Sequence, residues 1–131
     1  MTRTVINPEQ LFDPSANNAN HAVVEDGTLY ISGQVGLDED GALVGDDIES
    51  QARRSFENLA AILDQVDREL QDAAKLTSYL TDIHRDYDAY KEVWAEYFDS
   101  EPYPCHTALG VDALAAEGLL VEIEAQVPLD E

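Results

Sequence analysis

The strongest constraint on the fold is a helical spacing of apolar residues in the middle of the chain. Intervals of four and three residues separate Ala52, Phe56, Leu59, Leu63, Val66 and Leu70. Such intervals place side chains on one face of an α-helix. An aspartate at Asp46 or Asp47 is expected to cap this helix, because its carboxylate can accept a hydrogen bond from a first-turn amide. The spacing therefore predicts one long amphipathic helix that covers a core.

Strand-like segments precede this helix. Residues 4–6 form a short apolar run, and residues 21–25 and 28–32 flank Asp26-Gly27. An Asp-Gly pair between two such runs favours a two-residue hairpin turn. Asp40-Gly41 predicts a second turn. We therefore expect two or three strands before the helix, the last of them ending at Ser32.

A strand, a second helix and two further strands are expected after the first helix. Residues 73–80 read as a strand, and the second helix begins at about Asp86. Its apolar stripe consists of Tyr87, Tyr90, Trp94 and either Tyr97 or Phe98. Pro102 and Pro104 prevent the helix from continuing. The closing strands lie near residues 106–111 and 119–127.

This order of elements predicts an α+β fold. A mixed β-sheet would carry both helices on one face, and strands that flank a helix would be joined by right-handed crossovers. No repeat or long linker divides the 131 residues, so a single domain spanning residues 1–131 is expected.

The charge balance is strongly acidic. The chain has 28 acidic and 7 basic residues, a formal net charge of −21, and only two lysines, Lys75 and Lys91. The acids are scattered along the whole sequence, which suits a salt-loaded cytoplasm, although an ordinary soluble acidic protein is the simpler alternative. Without a basic patch, binding to a phosphate backbone is disfavoured. A nucleic-acid partner is therefore not expected.

Membrane and metal sites are also not expected. No apolar run approaches the ~20 residues that span a bilayer, and the first residues lack the apolar segment of a signal peptide. A cytoplasmic location follows as the expectation. One cysteine and three histidines show no close metal-ligand spacing. We expect neither a metal nor another cofactor.

Three short motifs resemble one known family. Residues 29–34 end in Ser-Gly-Gln, residues 103–107 read Tyr-Pro-Cys-His-Thr, and residues 121–125 read Val-Glu-Ile-Glu-Ala. Together they resemble the reactive intermediate deaminase (Rid, YjgF-like) family over nearly the whole chain. The resemblance implies a chorismate-mutase-like fold and a homotrimer whose sheets form a barrel. It also implies helices on the outside and clefts for small metabolites between neighbouring subunits.

The resemblance makes His106 the first candidate for a functional residue. Deaminases of this family hydrolyse small enamines and imines that bear a carboxylate, which is held by the arginine of a Pro-x-Arg-Ser/Thr motif. Arginine suits this role because its planar fork donates two parallel hydrogen bonds. Here the motif reads Pro104-Cys105-His106-Thr107, so a histidine stands in the place of the arginine. His106 either contacts a ligand in the cleft or simply fills a polar position at a strand start.

Glu122 is the second candidate catalytic residue. It matches the family's glutamate on the last strand, which orients the attacking water. Glu124 shares its sheet face because side chains alternate along a strand. The alternative is that Glu122 is an ordinary solvent-facing acid.

Further candidates for ligand binding lie near these motifs. Gly33 next to Ser32 allows a close backbone approach, or else marks a bulge or tight packing. Cys105 and Thr107 flank His106, and Cys105 should point to the opposite face of the strand from it. Lys91 stands roughly where the family has an asparagine, although an exposed helix lysine is the simpler interpretation.

One expected side chain is missing, since Ala19 lies about where the family has a tyrosine. Together with the missing arginine, this favours a diverged Rid protein that binds a small metabolite. An active 2-iminobutanoate/2-iminopropanoate-type deaminase that uses His106 and Glu122 is the alternative. A third function, the ribonuclease or translation-inhibitor role attached to some family names, is disfavoured by the acidic charge.

We predict that the thermal stability of the protein rises with salt. Like charges destabilise a compact state, and screening relieves their repulsion because the Debye length falls to ~3 Å near 1 M salt. Thermal melts in increasing KCl measure the effect. A midpoint that stays flat or falls would contradict the halophilic interpretation.

Overall fold

The central helix forms as its apolar spacing predicts. The computed structural model describes residues 3–129, and helix α1 spans Ile48–Asp64. The Asp47 carboxylate accepts a hydrogen bond of 2.8 Å from the Ser50 amide. Of the two predicted caps, Asp47 is therefore the residue that begins the helix.

The predicted end of α1 is wrong. The helix stops at Asp64, before Val66 and Leu70. The Arg68 amide donates to the Leu63 carbonyl and the Asp67 amide to the Asp64 carbonyl, while Asp67 adopts a φ of 57°. This bonding pattern closes a helix in the left-handed conformation. Val66 and Leu70 continue the apolar spacing because both still pack against the core from the turns that follow.

Six strands form one mixed sheet, as the order of elements predicts. They are β1 (Thr4–Ile6), β2 (Ala22–Glu25), β3 (Thr28–Val35), β4 (Lys75–Leu80), β5 (Cys105–Gly110) and β6 (Val121–Pro128). Their order across the sheet is β1-β2-β3-β6-β4-β5. Only the β4–β5 pair is parallel, and helix α2 (Ile83–Tyr97) connects these two strands. Short 3₁₀ turns lie at Ser15–Asn17 and Leu70–Asp72.

The β2–β3 hairpin is confirmed, but β3 is longer than predicted. Asp26 and Gly27 both have positive φ, 53° and 77°, as a tight hairpin turn with the twist of its strands requires. The strand continues past Ser32 to Val35, and its register with β6 shifts between Ile31 and Gln34. This bulge lets the strand continue after the Ser-Gly pair.

Both helices pack on one face of the sheet. Phe56 of α1 is fully buried, and its ring lies 4.7 Å from that of Tyr97 and 6.3 Å from that of Tyr90, centroid to centroid. Along β4, Leu76, Ser78 and Leu80 are buried beneath the helices. The residues between them lie on the other side of the sheet, which we call the open face. Helix α2 begins at Ile83, three residues before the predicted start.

Neither α1 nor α2, nor any other helical segment within residues 3–129, has the length and hydropathy needed to cross a bilayer.

Removing the α1 cap is expected to cost about 1 kcal/mol of stability. Asp47→Ala deletes the acceptor of the Ser50 amide, whereas Asp46→Ala removes the same charge without a cap. Because both variants relieve the acidic repulsion equally, the difference between their urea midpoints isolates the hydrogen bond. Equal midpoints would show that the cap contributes nothing.

Candidate functional site

His106 lies at the sheet edge on the side of the helices. Its Nε2 is 2.9 Å from Ser78 Oγ, and Ser78 Oγ is 2.5 Å from the Tyr90 hydroxyl. The imidazole stacks on the Trp94 indole with ring centroids 3.8 Å apart and an interplanar angle of 18°. Burial lowers the pKa of His106, because desolvation disfavours the charged form. Burial therefore favours the uncharged imidazole.

Two elements bring these groups to His106. Leu76 pairs with His106 and Ser78 with Ala108 in the parallel β4–β5 ladder, so the Ser78 and His106 side chains are diagonal neighbours on one face. Tyr90 and Trp94 are separated by four residues on α2 and share one helix face. The contact of α2 with the sheet therefore determines what surrounds the imidazole.

Glu122 lies on the open face of β6. The alternate residues of the strand, Val121, Ile123, Ala125 and Val127, are buried in the core. Burial and then the charge of Glu124 raise the pKa of the Glu122 carboxyl. A carboxylate with such a raised pKa is a better proton acceptor than an exposed one, which is the property that general-base catalysis needs.

The bulge in β3 makes room for Glu122. A Cβ atom on Gly33 would overlap the carboxyl group of Glu122. Ser32 is held by three hydrogen bonds: its amide donates to the His21 carbonyl at 2.8 Å, its hydroxyl donates to the Asn20 carbonyl at 2.8 Å, and its carbonyl accepts from Gln34 Nε2 at 3.1 Å. A side chain at position 33 would therefore displace the flexible end of Glu122.

The predicted site residues divide between the two faces of the sheet. Gly33 and Glu122 come together on the open face. Cys105 and Thr107 are both exposed, and they alternate with the half-buried His106 along β5. His106 and Glu122 therefore lie on opposite faces of the sheet and do not meet within this chain.

Lys91 is exposed on α2, as the simpler interpretation predicts. Its Nζ lies 5.2 Å from the centroid of the Tyr87 ring, a distance typical of a cation–π contact. The ammonium is therefore directed toward the preceding helical turn.

A cavity of about 410 Å³ opens beside the bulge. Its lining includes Arg3, Ala19, Ser32 and Glu124, but neither His106 nor Glu122. The Arg3 guanidinium donates hydrogen bonds to the Glu25 carboxylate, the shortest at 3.0 Å, so its charge is already paired. Of the predicted site residues, Ser32 alone lines this cavity.

Sequence reasoning missed Ser78 and the role of the Tyr90 hydroxyl. A serine in an apolar strand and a tyrosine in an apolar stripe are signals of buried polar atoms that need partners. Neither signal identifies the partner, because Ser78 and His106 are 28 positions apart in the chain.

One acidic group could be considered for a metal. Within residues 3–129, carboxylate oxygens of Asp38, Glu39 and Asp40 lie within 4.8 Å of one another. Asp38 Oδ1 already accepts hydrogen bonds of 2.9 Å from the amides of Asp40 and Ala42. The Asp38 carboxylate therefore has a structural role in this turn, which accounts for the position of the three acids.

Comparisons with known proteins place this chain in a family. The model of the family described as Endoribonuclease L-PSP matches residues 11–128. The chain is 33% identical to the RutC family protein YjgH of Escherichia coli over 127 residues, covering 96% of each chain. It is 36% identical to the human 2-iminobutanoate/2-iminopropanoate deaminase over 107 residues, covering 81% of this chain and 76% of the human protein.

Solved structures show the same fold. The structure of protein YJGH superposes with a TM-score of 0.91 at 32% identity, covering 100% of this chain and 99% of the other. RidA from an Antarctic Psychrobacter superposes with a TM-score of 0.85 at 33% identity, covering 95% and 98%. The mixed sheet with two helices is therefore shared over the whole length.

The pKa of Glu122 should depend on Gly33. In the wild type the carboxyl should titrate above its ordinary value of 4.5. Gly33→Ala should push the carboxyl into solvent and return its pKa toward that value, because burial is the main cause of the shift. Glu124→Gln should lower it by less, since it removes only the second cause. Carboxyl ¹³C NMR titrations measure these changes.

Ser32→Ala is the matched control, because it changes the same bulge without adding an atom against Glu122. An unchanged titration in Gly33→Ala, or a wild-type value at or below 4.5, would contradict the role assigned to the bulge.

Proposed function

Because this chain belongs to the Rid (YjgF-like) family, we propose that it is a cytoplasmic protein that binds a small metabolite in clefts between the subunits of a homotrimer. Its cleft has diverged from the form that holds a carboxylate. The observation that carries this proposal is the setting of His106, which is half-buried and already hydrogen-bonded to Ser78, and whose pKa is lowered by that burial.

A neutral imidazole cannot replace the expected arginine. A guanidinium stays charged and donates two parallel bonds to a carboxylate. His106 has one ring nitrogen engaged by Ser78, so a single nitrogen remains for a ligand. Its lowered pKa disfavours the positive charge that would attract an anion. The whole-chain charge of −21 opposes anion binding further.

The division of the candidates between two faces supports a cleft between subunits. One protomer offers His106 on one side of its sheet and Glu122 on the other, so a cleft with both needs residues from two copies. The open face also exposes apolar surface, including Tyr30 at 45% and Leu109 at 38%. Association of sheets in a homotrimer would cover such surface and bring Glu122 to a neighbour's edge.

An active deaminase is the second candidate function, and Glu122 is the observation that favours it. Its raised pKa suits a group that positions and deprotonates water. Relatives named 2-iminobutanoate/2-iminopropanoate deaminase are 36 to 37% identical to this chain. In this function Glu122 would act as the base, and His106 would help to hold the substrate.

We predict weak or absent hydrolysis of carboxylate-bearing enamines by the wild type. One charge-assisted bond contributes ~1.5–3 kcal/mol, so its loss should cost roughly ten- to a hundred-fold in rate. His106→Arg should recover part of this activity, and recovery should be incomplete because Ala19 lacks the expected tyrosine. Steady-state assays with a freshly generated 2-aminoacrylate-type enamine measure both effects.

Glu122→Ala and Glu124→Ala provide the matched control pair. Residual or recovered activity should disappear only in Glu122→Ala, and it should fall as the pH drops through the raised pKa of Glu122, because protonation removes the base. Efficient turnover by the wild type that is abolished by His106→Arg would instead establish the deaminase with histidine as an effective replacement.

A further inference from the structure

A chain of three hydrogen-bonding groups runs from the core to the β5 edge. The Tyr90 hydroxyl contacts Ser78 Oγ at 2.5 Å, and Ser78 Oγ contacts His106 Nε2 at 2.9 Å. Tyr90 and Ser78 are fully buried, whereas His106 is half-buried. The direction in which these groups donate determines which nitrogen of His106 carries its proton.

Tyr90 sets the direction of the chain. Burial raises the pKa of its hydroxyl, so it keeps its proton and must donate it. Within residues 3–129 its only side-chain partner is Ser78 Oγ. If Ser78 donated to Tyr90 instead, the Tyr90 hydrogen would be a buried donor without an acceptor, a state that folded proteins avoid. Tyr90 therefore donates to Ser78.

The hydrogen bond from Ser78 to His106 has the same donor direction. Its oxygen accepts from Tyr90, and its own hydrogen is free to donate to His106 Nε2. A neutral imidazole that accepts at Nε2 carries its hydrogen at Nδ1. Within residues 3–129, the hydrogen-bond partner of the imidazole, Ser78, and its ring partners, Tyr90 and Trp94, are uncharged. None of them stabilises a second proton on the ring.

Nδ1 is the ring nitrogen that remains for a ligand. Among the described residues it has no hydrogen-bond partner, and it is not one of the fully enclosed polar atoms without a partner, so it keeps some exposure. Trp94 covers a face of the ring, which leaves the Nδ1 edge as the side open to a ligand. The Lys91 ammonium lies over the Tyr87 ring, 5.2 Å from its centroid.

We propose that His106 offers a single uncharged Nδ1–H donor, and that the cleft is specific for an uncharged ligand with a carbonyl acceptor, such as an amide, in preference to a carboxylate. This inference rests on the proposed metabolite cleft and names its ligand class. One neutral donor matches one carbonyl oxygen, whereas a carboxylate would lose its hydration without meeting a cation.

The tautomer is measured first, by ¹⁵N NMR of the histidine rings at neutral pH, with His106→Gln used to assign the signals. The wild type should show a protonated Nδ1 and an unprotonated Nε2. Ser78→Ala should mix the two tautomers, and Tyr90→Phe should weaken the preference while its ring still packs against Phe56. A protonated Nε2 or a charged imidazole in the wild type would overturn the inference.

The ligand class is measured with a matched pair of probes, pyruvamide and pyruvate, titrated while the amide signals of the protein are followed. We expect pyruvamide to bind roughly ten-fold more tightly than pyruvate to the wild type, because the carboxylate of pyruvate would lose its hydration without meeting a cation. His106→Arg should reverse the order. If pyruvate binds equally well or better, the ligand class is wrong but the metabolite cleft stands. If neither probe binds, both the cleft and the inference fail.

Discussion

Phe56 fills the space between α1 and α2, and the arrangement of the site depends on this packing. Its fully buried ring stacks with Tyr97 and Tyr90 and meets the edges of Trp94 and Phe98. Aromatic pairs of this kind have preferred geometries in addition to the area that they bury. These contacts fix the rotation of α2 about its own axis. The Tyr90 hydroxyl and the Trp94 indole therefore face His106 near the start of β5.

Burial acts on the two candidate residues in complementary ways. It lowers the pKa of His106 and raises that of Glu122, so in both cases the uncharged form becomes easier to populate. The rest of the chain is strongly charged, with a net charge of −21. Burial thus favours the uncharged form at both candidate residues, although they lie on opposite faces of the sheet.

Family membership and chemistry are separate matters for this protein. The fold matches YJGH over its whole length, yet a fold carries many functions and the site decides among them. One departure from the pattern implied by the family resemblance lies at position 106, where a histidine stands in the place of the arginine, and Ala19 and Lys91 mark two others. Ser78 is hydrogen-bonded to that histidine and Tyr90 to Ser78. The neighbouring side chains therefore accommodate an uncharged imidazole at this position.

The sequence by itself determined the features that depend on near neighbours. Helical spacing located α1, the Asp26-Gly27 pair located the hairpin, and the alternation of β5 separated Cys105 from His106. The tertiary structure decided what depends on distant residues. The predicted end of α1 was wrong because Val66 packs against the core from a turn and not from a helix. The partners of His106 could not be predicted from the sequence. Strand register and helix packing bring Ser78 and Tyr90 to it, and both join residues that are far apart in the chain.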